Sequence, residues 1–268
     1  MTFFTPAGDG SVRPLPDAAG RWDPDTIRGP ALTALLARAV EQLLPAGSGV
    51  IPVRSTFDLH GRVPMRAISA AARIVRSGRS LSIAESEIIV DGQVLARCRT
   101  ALLSPSSTVT TPDDPGRGWA AALPPLATPP KQSLRASSDH GRLYRGSSDQ
   151  WSASPSSHLS AEPGLIWLYD QPLVEGEAVS GFQLAAAAAD LANLGINTAL
   201  DGLAFINTDV TLSLSRLPIL GGVGVVVTQR SESAGISVGS ATLFDTAGSC
   251  GISTVSALRH EKLRLVPG

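Results

Sequence analysis

Apolar positions along the chain change period in an order that occurs twice. Residues 28–44, RGPALTALLARAVEQLL, space their apolar side chains three and four apart, and so do residues 180–196, SGFQLAAAAADLANLGI. That is the period of a helix with one buried face. Each helical stretch is followed by alternating segments, the period of a half-buried strand. VRSTFDLHGRVP (53–64) and NTDVTLSLSRLP (207–218) both end in Arg-x-Pro; LSIAESEIIV (81–90) corresponds to ISVGSATLFD (236–245), and GQVLARCRTALL (92–103) to GSCGISTVSAL (248–258). The offsets are 152, 154, 155 and 156 residues, so the order is kept while loops lengthen. Two copies of one unit are predicted, each a helix followed by three strands.

The turns SGRS and VDGQ are too short for anything but antiparallel neighbours. Leading strands are expected at 2–5 and 11–15 in the first copy, and near 148–158 and 164–171 in the second. Residues 104–140 are rich in Ser, Pro and Thr and read as a linker. The expected organisation is therefore an N-terminal repeat over 1–103, a linker over 104–140 and a C-terminal repeat over 141–268. The fold class is α+β, each repeat having one central helix wrapped by an antiparallel sheet.

Composition narrows the function classes. Of 268 residues, 43% are hydrophobic and the net charge is −1, as in a globular protein and unlike a nucleic-acid-coating or disordered one. No stretch reaches the ~20 apolar residues of a membrane span, and the opening MTFFTPAGDG does not have the pattern of a secretory signal. Cys98 and Cys250 stand far apart with no second thiol or His nearby, so no metal site is expected, and reduced thiols in the cytoplasm are. Residues 1–145 carry 17 basic and 12 acidic groups and the rest 5 and 11, an asymmetry suited to an anionic ligand held by the first half.

The stretch IWLYDQPLVEGEAVSGFQLAAAAADLANLGIN followed by FINTDVTLSLSRLP resembles the second half of acyl-CoA thioesterase II-like proteins, and GPALTALLARAVEQLL with DLHGRVPMRAISAAARIVRSGRS resembles their first half. The resemblance implies a double hotdog fold and hydrolysis of acyl-CoA or other acyl thioesters without a cofactor. It also implies that Asp190, on the second helix, activates the hydrolytic water. Its counterpart in the first copy is Arg38, so one acid site is expected. The family holds the water with a hydroxyl residue and a Gln as well; the matching positions here are Asn207, with Thr208 beside it, and Ser256. The departure at Ser256 opens a second possibility, a non-catalytic acyl-thioester or lipid-binding protein. The oxyanion is expected at the N–H groups of Gly181 and Phe182, and the alanine run is expected to leave room for an acyl chain. Unpaired strand edges lead to the expectation of a homo-oligomer.

Three other features carry less. GISVG (235–239) matches the Gly-x-Ser-x-Gly elbow of α/β-hydrolases, with Asp245 and His260 downstream, but an elbow lies between a strand and a helix and Ser237 sits within a continuing strand pattern. LGGVGVVV (220–227) is a strand-entry turn with no helix after it. Arg73, Arg76 and Arg79 read equally as a grip for CoA phosphates and as a charged strand edge.

Overall fold

The computed structural model describes residues 2–21, 23–45, 47–105, 123, 127–138, 140–146, 150–155, 164–199 and 202–260. The first half contains β1 (Phe4–Pro6), β2 (Val12–Pro14), α1 (Gly29–Glu41), β3 (Ile51–Leu59), β4 (Ser69–Arg76), β5 (Leu81–Val90) and β6 (Gln93–Leu103). The second contains β7 (Arg142–Arg145), β8 (Leu165–Leu168), α2 (Gly181–Asn197), the short β9 (Thr198–Ala199) and β10 (Gly202–Leu203), β11 (Phe205–Leu214), β12 (Val223–Ser233), β13 (Ile236–Asp245) and β14 (Gly248–Arg259).

Ten strands form one antiparallel sheet in the order β4-β5-β6-β3-β11-β14-β13-β12-β8-β7. Its two halves meet where β3 pairs with β11, Phe57 opposite Val210 and Ser55 opposite Leu212. Beyond β4, Val12 of β2 and Ile68 exchange two backbone hydrogen bonds of 2.9 Å, as β8 pairs with β12 on the other side. The two halves thus share one plan, the double hotdog.

Each repeat contributes four strands to the large sheet after its helix rather than three. The strands that the alternation missed are β4 and β12, and neither alternates buried with exposed positions. β4 is largely exposed along its length, while β12 runs VGVVV fully buried and then six exposed residues. The second-copy leading strand is β7, earlier than 148–158. Of that range, 148, 149 and 156–158 lie outside the described residues, as does most of the 104–140 linker. Asp91-Gly92 and Ala234-Gly235, all at positive φ, form two-residue hairpin turns whose twist suits the flanking strands.

The helices run antiparallel, packed against the sheet. The pairs that touch descend in opposite order: Gly29 lies against Asp190, Thr33 donates to the Ala186 carbonyl at 2.9 Å, and Gln183 donates to Glu41 at 2.8 Å. Ser180 caps α2 by accepting from the Gln183 N–H at 3.0 Å. Ala185, Ala186, Ala188, Ala189 and Ala192 are all 0% exposed. The alanine run therefore does not line an acyl channel. It thins α2 so that α1 and the sheet close on it from both sides, and both helices share one apolar core.

A larger side chain has nowhere to go in that contact. Ala186→Leu is expected to cost about 3 kcal/mol through overpacking, seen as a lower urea midpoint with an unchanged slope; a neutral result would mean that the helix pair can separate freely.

Candidate active site

Asp190 lies two turns before the end of α2, 8% exposed, with its carboxylate against the start of α1. A Cβ placed on Gly29 would stand 2.4–2.6 Å from the carboxylate atoms, so only glycine lets the helix start come this close. Pro30 follows and has no N–H of its own, while the Gly29 N–H donates to no described protein group. Asn207 of β11 donates from Nδ2 to Asp190 Oδ1 at 2.9 Å. Asn193, less than one turn further along α2, donates to Asn207 Oδ1 at 3.4 Å. Burial raises the Asp190 pKa to about 6, and the Asn207 donor holds it from going higher.

A bulge aims Asn207. Val210, Leu212 and Leu214 of β11 face the core, which would send position 208 inward and 207 outward. The register with β14 slips between Asn207 and Asp209, so Thr208 becomes the extra residue and the alternation reverses. Asn207 turns toward α2. Thr208 is exposed, its hydroxyl 3.0 Å from Asp209 Oδ2 and 3.3 Å from the Ser256 carbonyl, and it does not join the site.

The other expected site residues lie elsewhere. On β14 the helix-facing positions are Ser253, Val255 and Ala257, and Ser253 donates to the Ala189 carbonyl at 2.9 Å. Ser256 is opposite Asp209 and faces out; Ala257 is the residue opposite Asn207. A one-residue step moves a strand side chain to the other face, which is why alignment by sequence misplaced it. Gly181 and Phe182 begin α2, nine and eight residues before Asp190 and so about 12–14 Å away along the axis. Gly181 packs on the Leu217–Pro218 backbone and Phe182 is fully buried. The helix start beside the acid belongs to α1, not to α2. Arg38, the repeat counterpart of Asp190, forms a two-point ion pair with Glu177 at 2.7 and 2.6 Å.

Asp190, Asn193, Asn207 and Gly29 line a cavity of about 870 Å³. Part of its wall is apolar, from Leu32, Leu59, Leu191 and Leu194; part is basic, from Arg21, Arg28, Arg62 and Arg142. Burial, and then the neighbouring Arg142 and Arg21, pull the Arg28 pKa down to about 10 against the opposing pull of Asp17 and Tyr144. The basic wall was not legible as a motif, since its members come from three separate segments. Arg73 lies on β4, paired with Glu85 at 2.6 Å, and is not among the cavity residues. Both thiols are buried, and burial pushes each up to about 12, which leaves them unreactive. Among the described residues no group of His, Cys, Asp or Glu could hold a metal.

In the described structure an acid-bearing cavity lies where two antiparallel helices meet on a ten-stranded sheet, the arrangement of a double hotdog protein. Residues 18–104 match the acyl-CoA thioesterase N-terminal domain and residues 113–254 the acyl-CoA thioesterase C-terminal domain. The chain belongs to the acyl-CoA thioesterase family. Among solved structures it is similar to the tesB protein of Mycobacterium avium subspecies paratuberculosis, at 13% identity over 96% of this chain and 95% of that one, with a TM-score of 0.65. It is also similar to the acyl-CoA thioesterase II TesB2 of Mycobacterium marinum (11% identity, 96% and 95% covered, TM-score 0.61). A hot dog fold protein of unknown function from Alicyclobacillus acidocaldarius gives 13% identity, 99% and 96% covered, and a TM-score of 0.60. No curated protein sequence matches the chain at a significant level.

The buried acid has a consequence for stability. Its folded pKa of about 6 stands above the ordinary 3.8, so the folded state holds the proton more tightly than the unfolded chain. That stabilisation is complete below the unfolded value and is lost as the pH rises through the folded one. Asp190→Asn is expected to be more stable than wild type by up to about 3 kcal/mol near neutral pH, the gain vanishing near pH 4. Parallel denaturant curves across that range would check it, and equal stabilities at every pH would mean that Asp190 is not shifted.

Proposed function

We propose that the chain hydrolyses acyl thioesters, acyl-CoA foremost, with a water activated by Asp190. One observation carries this: a carboxylate with a pKa of about 6 lies between Asn207 and the start of the opposite helix, on the wall of a large, part-apolar, part-basic cavity. A base poised near the working pH is ionised yet still takes a proton readily. Asp190 accepts a proton as the water oxygen bonds to the thioester carbon. Asn207 spends one amide hydrogen on Asp190 and has a second for the water. The carbonyl oxygen becomes an oxyanion at the Gly29 N–H, where the positive end of the α1 dipole adds to the stabilisation. The C–S bond then breaks, and the proton on Asp190 passes to the departing thiolate, giving free acid and thiol.

The apolar wall suits an acyl chain, and the arginines draw in an anionic carrier such as CoA. No described helix is long and apolar enough to cross a membrane. A cytoplasmic role in lipid metabolism fits the family and the two unreactive thiols. Self-association of two copies fits the outer face of β13 and β14. There Ile236 and Leu258 are register partners, with Val238 two residues along, and all three are more than half exposed.

Asp190→Asn is expected to lower kcat by at least about a hundredfold with KM little changed, measured as thiol release across acyl-CoA chain lengths. The wild-type rate should fall on the acid side of about pH 6. Binding of acyl-CoA without thiol release at any length would replace hydrolysis by the non-catalytic binding function. For the outer face, Leu258→Lys should lower the mass measured by light scattering; a wild type that is monomeric at all concentrations removes the self-association proposal.

A further inference from the structure

The amide of Asn207 is held by more than Asp190. Asn197 donates from Nδ2 to Asn193 Oδ1 at 2.9 Å, and Ser237 of β13 donates from Oγ to Asn197 Oδ1 at 2.6 Å. With the two bonds described above, the series runs Ser237 to Asn197 to Asn193 to Asn207 to Asp190, each group donating to the next. Ser237 is 0% exposed, Asn197 3% and Asn193 7%, so water does not compete freely for these groups.

Direction is the point of such a chain. A side-chain amide donates at one end and accepts at the other, so a row of three amides has two possible senses. An ionised carboxylate only accepts. With Asp190 ionised, Asn207 must present Nδ2 to it, and Oδ1 must then find a donor. That donor is Asn193, whose own oxygen needs Asn197, whose own oxygen needs a hydroxyl. Ser237 is the group that ends the series.

The backbone is built to allow that last contact. A Cβ on Gly239 would meet Ile196 Cγ2 at 2.5 Å, so a glycine is required where the end of α2 lies on β13. The pair Ile196 and Asn197 thereby comes down beside Ser237. In GISVG, then, Gly235 at φ 77° makes the hairpin turn, Gly239 admits the helix, and Ser237 meets it.

We propose that Ser237, Asn197 and Asn193 are positioning residues that hold the Asn207 amide in the sense that donates to Asp190, and so set the protonation of that carboxylate from the far side of the helix. The proposal rests on Asp190 as the base for its effect on rate, but its effect on the carboxylate itself does not need catalysis. Other charges share the cavity: Arg21, Asp23 and Arg28 from the approach to α1, Arg62 after β3, and Arg142 on β7. Among the described residues Asp23, Arg28 and Arg62 form no hydrogen bond to the series, and Asn207, Ser237 and Ala257 of β11, β13 and β14 carry no ionisable group.

The test is the titration of Asp190 by carbon NMR of its carboxyl in wild type, Ser237→Ala and Ser237→Thr, beside the pH dependence of thiol release from an acyl-CoA. Removing the hydroxyl leaves Asn197 Oδ1 unpaired and frees the amides to turn. The Asp190 midpoint should then rise by about one pH unit, the scale of one weakened hydrogen bond to a charged group. The acid limb of the rate profile should move by the same amount. Ser237→Thr, which keeps the hydroxyl, should restore the wild-type midpoint. A structural role alone would lower the melting temperature of Ser237→Ala and leave the midpoint in place, which overturns the proposal; so would an equal shift in both variants. If the midpoint moves but no variant releases thiol, the series stands and the hydrolytic function fails.

Discussion

Everything distinctive in this molecule depends on how closely two antiparallel helices approach at one point. Gly29 has no side chain because the Asp190 carboxylate occupies the space that one would fill. The alanine run of α2 continues the same close contact along the helix, with Thr33 bonded to the backbone of Ala186. Burial of a carboxylate is expensive, and among the described residues one side-chain donor, Asn207, offsets it. The result is an acid whose pKa is pushed up to about 6, beside the positive end of a helix. A bulkier α2, or any residue but glycine at 29, would relax the contact and return the carboxylate to an ordinary range.

Duplication supplies two such seams, and their polar groups differ. At the repeat-related place stands Arg38, bound at two points by Glu177, with Glu41 and Gln183 beside it. An ion pair fills the position that Asp190 holds in the other copy, while the carboxylate of this seam, Glu41, accepts from Gln183 and is itself raised by burial. The helix pairing also explains why the helix start beside Asp190 comes from the other repeat. In an antiparallel pair, the middle of one helix faces the beginning of its partner, so each seam is necessarily composite.

Much of this was legible in the sequence, for a definite reason. Half-buried strands alternate, and β5, β6, β13 and β14 were placed to within a residue because one of their faces meets the helices. β4 and β12 escaped because the first has almost no buried face and the second is buried on both faces at one end. Asp190 and Asn207 are named by the family resemblance, and the structure brings the two side chains together at 2.9 Å. Ser256 could not be placed, because strand register has a period of two and the bulge at Thr208 shifts it by one. Gly181 and Phe182 offer the N–H groups of a helix start, but the helix start that lies beside Asp190 is that of α1. Tertiary pairing of helices, which sequence spacing does not encode, decided otherwise.

The glycines and the polar stripe of α2 show how a misleading motif can still mark an important place. GISVG has the spacing of a nucleophile elbow, but the strand continues through it and Asp245 is fully engaged by Arg216 at 2.8 Å and by the Ile219 N–H at 2.7 Å. What the spacing records is the descent of α2 onto β13. Gln183, Asp190 and Asn197 recur at seven-residue steps, which on an isolated helix describes a solvated face. Here all three are buried, and each meets a polar group from another element: Glu41, Asn207 and Ser237 in turn. A polar stripe on a helix enclosed on every side must be satisfied by its neighbours, and those neighbours are what fix the orientation of the one group in the stripe that can take a proton.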